Sequence, residues 1–451
     1  SIKDADLEFT SDEIIESVQT QPGCTHLMRE DILHMLQTRR RLFASKLGWA
    51  HGYQHSLDIG PDAIPPNIPP RRLAPQEYVA LKEAVDKQMK AGLLEYCSSP
   101  FNARPMMVPK LTGGYRTVLD YRRLNELVLK AGSGCSYPLP RVDDNLNSLA
   151  KAKWFTAVDL LSGFHQIEMV DGLRGKLATA FSTPWGQMCY TRMPMGLTSS
   201  PGAFMSVVDA ALRGLPQGIA VAYVDDILIP TDGEWHDHLR DVGLVFDRLI
   251  AAGFTVNPKK VFIGMREVPY LGYLVGAYGT RPNPERTKAI FDMSFEQIRT
   301  DAAAAARFSG MIAFYSRFLK NLHITLAPFH ALKAKHANVH EILNSLKLRA
   351  SFEVLRNQLA DVTALTRPDY SKDFHVVVDT ASSVGMGATL MQLEDVSDPT
   401  SLRPVAFWSH RLNENERGWP VRDQECYGLV CALREWRPYV LGTHTHVKTD
   451  H

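Results

Sequence analysis

The stretch Tyr223-Val-Asp-Asp226 decides the fold, because two adjacent aspartates lie inside the apolar run 219–229. This run predicts two short buried strands that meet at a tight turn. A carboxylate stays ionised in such a place only if a cation pairs with it. An acidic turn in an ordinary hairpin is the simpler interpretation of Asp225 and Asp226, so the pair indicates a metal site only if a third ligand accompanies it.

Asp159 supplies a third carboxylate, near the end of an apolar strand that begins at Trp154. Three carboxylates on neighbouring strands can hold two hard cations roughly 3.5–4 Å apart, with substrate phosphates and water completing the octahedral shells. One metal then lowers the pKa of an attacking hydroxyl, and the other neutralises the leaving oxygen. Oxygen-only ligation predicts two Mg²⁺ ions, with Mn²⁺ as the substitute.

Asp159 in its strand and the Tyr-x-Asp-Asp turn resemble the two catalytic motifs of reverse transcriptases. Further blocks, in matching order and spacing, resemble those of gypsy-type LTR retrotransposon Pol polyproteins. They are the fingers motifs 115–125 and 137–144, the Pro-x-Gly-Leu block 190–204, the primer-grip hairpin 271–273 and the thumb helix 308–319. Each block is weak by itself, but together they cover most of the chain.

The resemblance implies an α+β fold class, a right-hand polymerase with fingers, palm and thumb followed by a truncated α/β ribonuclease H-like domain. It implies an N-terminal lead-in arm over 1–75 and interleaved fingers and palm over 76–275. A thumb and connection follow over 276–370, and a ribonuclease H-like domain, incomplete at its C-terminus, over 371–451. A helix that Pro75 opens and Gly92 closes is predicted at the start of the fingers.

The implied activity is RNA-directed and DNA-directed DNA synthesis, in which a primer 3′-OH receives a dNMP. Asp159, Asp225 and Asp226 are the implied catalytic metal ligands. Lys260, in preference to Lys259, aligns with a family lysine that protonates the pyrophosphate leaving group. A lysine after a helix is also commonly a surface charge, and that alternative stays open for Lys260.

Three residues have implied contacts with the incoming nucleotide. Arg116 would clamp the α- and β-phosphates and Lys110 the γ-phosphate, on a hairpin that closes over the substrate. Lys110 is equally compatible with a solvated loop lysine. Phe164 would be the steric gate, a ring under the sugar C2′ that excludes ribonucleotides by its volume. The alternative for Phe164 is a core phenylalanine.

Four residues have implied contacts with the template or primer. Met195 stands near the templating base pair, where gypsy-type elements often have phenylalanine. Tyr223 would lie beside the primer terminus. Gly272 and Tyr273 would position the primer 3′ end, with Gly272 allowing a close approach of backbones.

A second acidic centre follows the polymerase motifs. Asp379 ends an alternating strand, Glu425 lies on an apolar-faced helix and Asp450 ends another strand. This order resembles the ribonuclease H fold, which also uses two metals for phosphodiester hydrolysis. The chain ends one residue later, at His451, before the family's remaining segments. We therefore expect no ribonuclease H activity from this chain.

Composition limits the compartment and the partners. Net charge is +1, so a nucleic-acid surface depends on local patches such as 301–360, where basic residues outnumber acidic ones. A solvated helix face is the alternative for that segment. The expected partners are an RNA or DNA template with its primer, dNTPs and other segments of the same polyprotein, while a homodimer stays open.

The chain shows no 18-residue apolar run, and none of its six cysteines forms a Cys-x-x-Cys pair. These features predict an intracellular, reduced protein without a membrane partner. The resemblance to LTR retrotransposons implies a cytoplasmic location within virus-like particles, with nuclear passage an option. The pairs His236-Asp-His238 and His444-Thr-His446 lack a second ligand pair at a suitable spacing. Surface or packing roles are predicted for these histidines.

Two other functions compete with DNA synthesis. Template-directed RNA synthesis uses a similar palm, but Phe164 argues against it because a ribonucleotide needs room at C2′. A catalytically dead binding subunit is the non-enzymatic alternative. The presence of Asp159, Asp225 and Asp226 together argues against that alternative.

Overall fold

The computed structural model describes residues 18–20, 24–43, 46–109, 114–130, 137–149, 152–332, 334, 337–362, 364–381 and 385–449. The chain divides into two compact units. The first unit comprises 1–145 and 152–266, and the second comprises 146–151 and 267–451. The finer sequence-predicted boundaries, at 75, 275 and 370, stay predictions.

The first unit combines helices with short strands. Its helices are α1 (His26–Thr38), α2 (Pro75–Lys90), α3 (Arg122–Lys130), α4 (Val142–Asn147, which runs into the second unit), α5 (Ser200–Leu212) and α6 (Trp235–Ala251). Short 3-10 helices span Arg40–Phe43, Gly163–Gln166, Lys176–Thr179 and Pro258–Lys260.

The strands of the first unit are β1 (Gln19–Thr20), β2 (Gln54–His55), β3 (Leu94–Tyr96), β4 (Arg104–Pro109), β5 (Tyr115–Asp120), β6 (Trp154–Asp159), β7 (Glu168–Met169), β8 (Phe181–Thr183), β9 (Gly186–Tyr190), β10 (Val221–Tyr223), β11 (Asp226–Thr231) and β12 (Phe262–Met265). They form a five-stranded sheet of order β1-β12-β6-β11-β10, a β3-β9-β8 sheet and the pairs β4-β5 and β2-β7.

Helix α2 begins and ends as its sequence predicts. Pro75 occupies its first turn, and the Glu77 side chain accepts a hydrogen bond from the Ala74 N–H at 3.0 Å. A proline and a carboxylate at a helix N-terminus both suit the unpaired N–H groups there. The helix stops before Gly92, whose φ of 69° lies in the left-handed region that glycine adopts at low cost.

The five-stranded sheet, called the palm sheet below, supports the acidic residues. Strand β6 lies at its centre and runs antiparallel to β11 and β12. Phe155, Ile227 and Ile229 are fully buried, and helix α6 covers the sheet with a buried face that includes Phe246. Each fully buried side chain of this size contributes about 1.5–3 kcal/mol, so the strands that carry the acids are firmly held.

The helices of the second unit lie mainly over 284–360 and again over 414–440. They are α7 (Pro284–Phe291), α8 (Phe295–Thr300), α9 (Ala302–Ala313), α10 (Leu322–Thr325), α11 (Ala327–Ala331), α12 (Val339–Leu343), α13 (Leu346–Ala360), α14 (Glu414–Arg417), α15 (Val421–Glu435) and α16 (Arg437–Val440), with a 3-10 helix at Ser316–Phe318. The Phe308 ring contacts those of Phe329 and Phe352, with centroids 5.3 and 4.9 Å apart, and these contacts join α9, α11 and α13.

The strands of the second unit are β13 (Glu267–Tyr270), β14 (Tyr273–Gly276), β15 (Gly279–Pro282), β16 (Phe374–Ala381), β17 (Gly385–Leu393), β18 (Leu402–Arg411) and β19 (Thr445–Lys448). They form a β13-β14-β15 meander and a β18-β17-β16-β19 sheet, in which only β19 runs parallel to its neighbour. Val376, Leu390 and Ala432 form part of the core between this sheet and α15.

Arg367 joins separate segments of the second unit. Its guanidinium is buried and donates to the carbonyl oxygens of Leu149, at 2.7 Å, and Gly276. Burial lowers the pKa of Arg367 to about 10. Three backbone segments are therefore connected through one side chain.

No helix in the described part of the chain is both long and apolar enough to cross a bilayer.

Candidate active site

The palm sheet brings the three acidic residues to one edge. Asp159 ends β6 and Asp226 begins β11, and the two residues are direct partners in the antiparallel pairing. Asp225 immediately precedes Asp226, and its carbonyl oxygen accepts a hydrogen bond from the Leu160 N–H at 3.2 Å. The structure thus places the three sequence-predicted ligands together, while their role as metal ligands stays a prediction.

The turn that carries Asp225 has a strained backbone. Tyr223 pairs with Asp226, so Val224 and Asp225 form a two-residue turn. Val224 has a φ of 56°, a region that β-branched residues rarely adopt and that costs about 1–3 kcal/mol. Its N–H donates to Sδ of Met205 on α5, at 3.3 Å. Packing on α5 therefore holds the acidic turn in a backbone conformation that is unfavourable for valine.

Lys260 lies against the acidic edge. Its Nζ is 2.9 Å from Oδ2 of Asp159, and this ion pair raises the pKa of Lys260. The backbone determines this position, because the Asn257 N–H donates to the Asp159 carbonyl at 3.0 Å and the Lys260 N–H donates to the Asn257 carbonyl, also at 3.0 Å. Lys259 is exposed on the same 3-10 helix. Lys260, which is also exposed, is the lysine that contacts Asp159, and its role as a proton donor stays a prediction.

The donor set of the acidic edge fits hard divalent cations. Burial raises the pKa of Asp225, the negative charge of Asp159 adds to this effect and Lys260 opposes it. One ammonium group faces three carboxylates, so added positive charge would relieve their repulsion. Oxygen-only ligands suit Mg²⁺ and Mn²⁺. The carboxylate oxygens do not all lie within 4.8 Å of one another, and Lys260 holds one of them.

The fingers hairpin is described only in part. Strands β4 and β5 pair with Val108 opposite Arg116, and Arg116 is exposed. Lys110 lies outside the described residues, together with the rest of the hairpin tip, 111–113. An exposed guanidinium on this hairpin is available to a phosphate, and the phosphate-binding roles of both residues stay predictions.

Phe164 is half-buried on the 3-10 helix that follows Asp159. Its ring meets the buried ring of Phe204 edge to face, with centroids 5.3 Å apart. A Cβ at position 163 would lie 2.7 Å from Cζ of Phe204, so only glycine allows this approach. The Phe164 ring thus packs on Phe204 and is partly open, and both the steric-gate role and the alternative of a core phenylalanine stay predictions.

Met195 lies on a loop that Asn125 holds in place, a contact that the sequence analysis did not predict. The Met195 side chain is 61% exposed. The Asn125 amide donates to the Gly196 carbonyl at 2.9 Å and accepts from the Thr198 N–H at 2.9 Å. Asn125 on α3 thus fixes the loop from both sides. The position of Asn125 at the end of the fingers motif 115–125 was the available signal.

Gln166 is a second positioning residue that sequence reasoning missed. It is fully buried and donates to the carbonyls of Leu161 and Thr255, at 2.8 and 2.9 Å. It also accepts from the Thr255 N–H at 2.8 Å. The amide therefore ties the segment after Asp159 to the segment before Lys260. A lone glutamine in an apolar stretch was the only signal.

Tyr223, Gly272 and Tyr273 have different positions. Tyr223 is half-buried at the end of β10, beside the acidic turn. Gly272 and Tyr273 belong to the second unit. Leu271, with a φ of 50°, and Gly272, with one of 88°, form the turn between β13 and β14, and Tyr273 begins β14. The Tyr273 ring stacks on Phe314 at 5.2 Å. Their contacts with primer stay predictions.

The second acidic centre is described for one side chain. Glu425 is buried on α15, which packs on β16 and β17. The backbone of Asp379 lies in β16, opposite Gly387. Asp450 lies outside the described residues. The helix-on-strand arrangement expected for Asp379 and Glu425 is present.

Two family models match the chain. Residues 108–275 match reverse transcriptase (RNA-dependent DNA polymerase), and residues 369–451 match the RNase H-like domain found in reverse transcriptase. The chain therefore belongs to the reverse transcriptase family, whose members are RNA-directed DNA polymerases and hence nucleotidyltransferases.

Its relatives are Pol polyproteins of LTR retrotransposons, which confirms the resemblance. The Pol polyprotein of Drosophila melanogaster transposon 297 is 31% identical over 384 residues, 84% of this chain and 34% of that protein. That of transposon gypsy is 31% identical over 385 residues, 81% of this chain and 35% of that protein. The chain thus spans about a third of the length of these relatives.

Solved structures confirm the predicted fold class. The foamy viral protease-reverse transcriptase dRH in complex with double-stranded DNA has a TM-score of 0.81 at 21% identity, over 100% of this chain and 77% of that chain. The foamy viral protein in complex with an RNA/DNA hybrid has a TM-score of 0.80 at 20% identity, over 98% of this chain and 57% of that chain. Likeness at this identity concerns the fold alone.

Proposed function

We propose that the chain is the RNA-directed and DNA-directed DNA polymerase of an LTR retrotransposon. The observation that carries this proposal is the meeting of Asp159, Asp225 and Asp226 at one edge of the palm sheet. Two strands separated by many residues must pair in one register to produce that meeting. A strained turn and a lysine beside the acids belong to the same edge.

The proposed reaction joins a dNMP to a primer. The primer 3′-OH loses its proton to solvent water and attacks the α-phosphate, a new P–O bond forms and the bond to the pyrophosphate breaks. Asp159, Asp225 and Asp226 would hold two Mg²⁺ ions, with Mn²⁺ as a substitute, and these supply charge neutralisation for the attacking and leaving oxygens. Positioning and electrostatic stabilisation are the main terms in such a transfer.

Protein side chains have separate tasks in this proposal. Lys260, kept protonated by its acidic neighbours, donates a proton to the pyrophosphate as that group leaves. Arg116 and Lys110 bind the triphosphate from the fingers hairpin. Phe164 excludes a 2′-OH by its volume, and Tyr223 contacts the primer terminus.

The proposed partners are an RNA or DNA template with its primer, dNTPs and other segments of the same polyprotein. The foamy viral structures hold double-stranded DNA or an RNA/DNA hybrid, which supports both template types by analogy. Exposed Arg307, Lys347 and Arg349 in the second unit offer contacts to phosphates. A homodimer and a cytoplasmic location in virus-like particles, with passage to the nucleus, belong to the same proposal.

Primer extension tests the proposed activity against its competitors. On an RNA template with Mg²⁺, we expect incorporation of dNTPs and not of NTPs. Preference for NTPs would establish RNA synthesis instead. Asp225→Asn should abolish extension while hybrid binding survives, and Asp232→Asn, an exposed aspartate beyond the other end of β11, is the matched control. Equal extension by Asp225→Asn and Asp232→Asn would contradict the proposal.

We also propose that the ribonuclease H-like segment of this chain does not cleave RNA, as the sequence analysis expected. Incubation of the chain with an RNA–DNA hybrid, Mg²⁺ and no dNTPs tests this statement. Release of RNA fragments that Glu425→Gln abolishes would show that the segment is an active nuclease.

A further inference from the structure

Three metal-binding side chains meet at one end of the β16–β19 pair. Asp373 immediately precedes β16, His444 immediately precedes β19 and His446 lies within β19. Among the described residues, these are the only three His, Cys, Asp or Glu side chains whose ligand atoms all lie within 4.8 Å of one another. The sequence does not predict this group, because Asp373 and His446 are 73 residues apart.

The parallel pairing of β16 with β19 creates the group. Phe374 is paired with Thr445 and His375 with His446. The Phe374 N–H also donates to the His444 carbonyl at 3.0 Å, which fixes the backbone of His444 beside Asp373. The backbone hydrogen bonds between β16 and β19 therefore bring Asp373 close to His444 and His446.

The separations within the group suit a bound ion. Oδ2 of Asp373 is 3.0 Å from Nε2 of His446 and 3.3 Å from Nδ1 of His444. A tetrahedral Zn²⁺ with ligand bonds of 2.0–2.2 Å has neighbouring ligand atoms about 3.3–3.5 Å apart. Small side-chain movements are thus enough to admit the ion. Two imidazoles already converge on one carboxylate oxygen.

His375 orients one of the ligands. Its ring stacks on that of His446, with centroids 4.7 Å apart and an angle of 18° between the planes. A stacked imidazole limits the rotation of its neighbour, as supporting residues do around known metal ligands. His375 is a positioning residue in this arrangement.

We propose that Asp373, His444 and His446 form a site for a borderline divalent cation, with Zn²⁺ the preferred ion. Two imidazoles and one carboxylate favour Zn²⁺ over Mg²⁺, which prefers oxygen ligands. The three side chains are exposed, and His444 and His446 lie next to or on the edge strand β19, so the ion exchanges with solvent. A bound metal ion links β19 to β16 through its ligands and so stabilises the second unit.

The site is separate from the predicted nuclease centre. Asp373 precedes β16, whereas Asp379 lies near the other end of that strand, six residues later. At 3.3 Å per residue this separation is about 20 Å. Metal at Asp373 is therefore distinct from any metal that Asp379 and Glu425 would hold.

Cobalt binding to the full chain tests the site. After treatment with a chelator, the protein is titrated with Co²⁺ in excess Mg²⁺, which occupies oxygen-only sites. We expect visible d–d absorption that saturates near one equivalent of Co²⁺, and that Zn²⁺ abolishes. Asp373→Asn and His446→Gln should each weaken binding at least about tenfold. His26→Gln is the matched control, because His26 also faces a carboxylate, Glu30, but belongs to no group of three ligand atoms within 4.8 Å of one another among the described residues.

Unfolding supplies a readout that does not depend on colour. Zn²⁺ should raise the unfolding temperature of the second unit by about 5 °C in the wild type and not in Asp373→Asn. Failure of the wild type to bind one equivalent, equal binding by Asp373→Asn, or a near-ultraviolet thiolate band that assigns the ion to cysteine would each overturn the proposal.

Discussion

The palm sheet of the first unit and the β18-β17-β16-β19 sheet of the second unit both gather polar ligands at strand ends, but with different donors. The palm edge offers only carboxylates, beside one lysine. The second sheet offers two imidazoles and one carboxylate at Asp373. Oxygen donors select Mg²⁺, and imidazole donors select Zn²⁺. One chain thus presents two ligand sets that we expect different metals to occupy.

The two groups also differ in how the chain assembles them. Asp225 and Asp226 are neighbours in a hairpin turn, and one antiparallel pairing adds Asp159. Asp373 and His446 meet only through a parallel pairing between distant segments. A hairpin leaves a local pattern in the sequence, whereas a parallel pairing leaves none. The first group was therefore readable before the structure and the second was not.

The largest expected effect comes from Asp159→Asn. Loss of one carboxylate from the palm edge should reduce the rate of primer extension by at least about 10³-fold, because charge neutralisation of the transferring group is lost. Steady-state extension on an RNA template measures it. Asp373→Asn should leave extension unchanged yet lose Co²⁺, and Asp159→Asn should keep Co²⁺. If both variants lost primer extension and Co²⁺ binding together, the two sheets would not hold separate metal sites.

A smaller loss is expected from Lys260→Gln. Without its proton donor the transfer should slow by roughly 10²-fold, and the basic limb of the pH–rate profile should disappear. Single-turnover extension between pH 6 and 10 gives both quantities. Lys259→Gln, the adjacent exposed lysine, is the matched control and should behave as the wild type. A full rate with an unchanged pH profile in Lys260→Gln would assign this lysine a structural role only.

Phe164→Val should relax sugar selection rather than rate. The smaller side chain leaves room for a 2′-OH above Phe204, so discrimination against NTPs should fall by roughly 10²-fold. The ratio of kcat/KM for dNTP and NTP measures this change, and Phe164→Tyr should retain the selectivity. Unaltered selectivity with lowered stability would identify Phe164 as a core residue.

A buried histidine on α6, the helix that covers the palm sheet, contrasts with the exposed histidines of the second sheet. His238 contacts the hydroxyls of Thr156, at 2.8 Å, and Thr231, at 3.0 Å, and burial lowers its pKa to about 3. The unfolded chain binds this proton near pH 6.5, so stability of the first unit is full above that pH and falls as pH drops toward 3.

Between pH 7 and 5 the His238 contribution to this fall is about 2 kcal/mol. Urea unfolding followed by tryptophan fluorescence reports the region, because Trp154 and Trp235 lie beside His238. His238→Gln should lower stability at pH 7 and reduce the pH dependence by that amount. His444→Gln should leave it unchanged, and an unaltered slope in His238→Gln would show that His238 is protonated in the folded protein.

Sequence reasoning reached the residues whose chemistry is local. The acidic turn, the strand before Asp159 and the choice of Lys260 follow from short motifs, and the structure places all of them at one edge. Asn125 and Gln166 escaped notice because their partners are backbone groups of distant loops, which no motif records.

His444 and His446 also show that local spacing in the sequence does not reveal partners that strand pairing brings close. Surface or packing roles were predicted for them because no second ligand pair lay at a suitable spacing. They are indeed exposed, but the strand pairing supplies Asp373 as a partner. Lys110 and Asp450 lie outside the described residues, and their predicted roles stay predictions.

Counting bound Mn²⁺ tests the central claim most directly, namely that the three carboxylates of the palm edge hold two divalent ions. Electron paramagnetic resonance measures free Mn²⁺ as it is added to the chain with primer–template and a non-hydrolysable dNTP. We predict two more tightly bound ions in the wild type than in a variant that combines Asp159→Asn with Asp225→Asn. Equal numbers of bound ions in the two proteins would contradict the account.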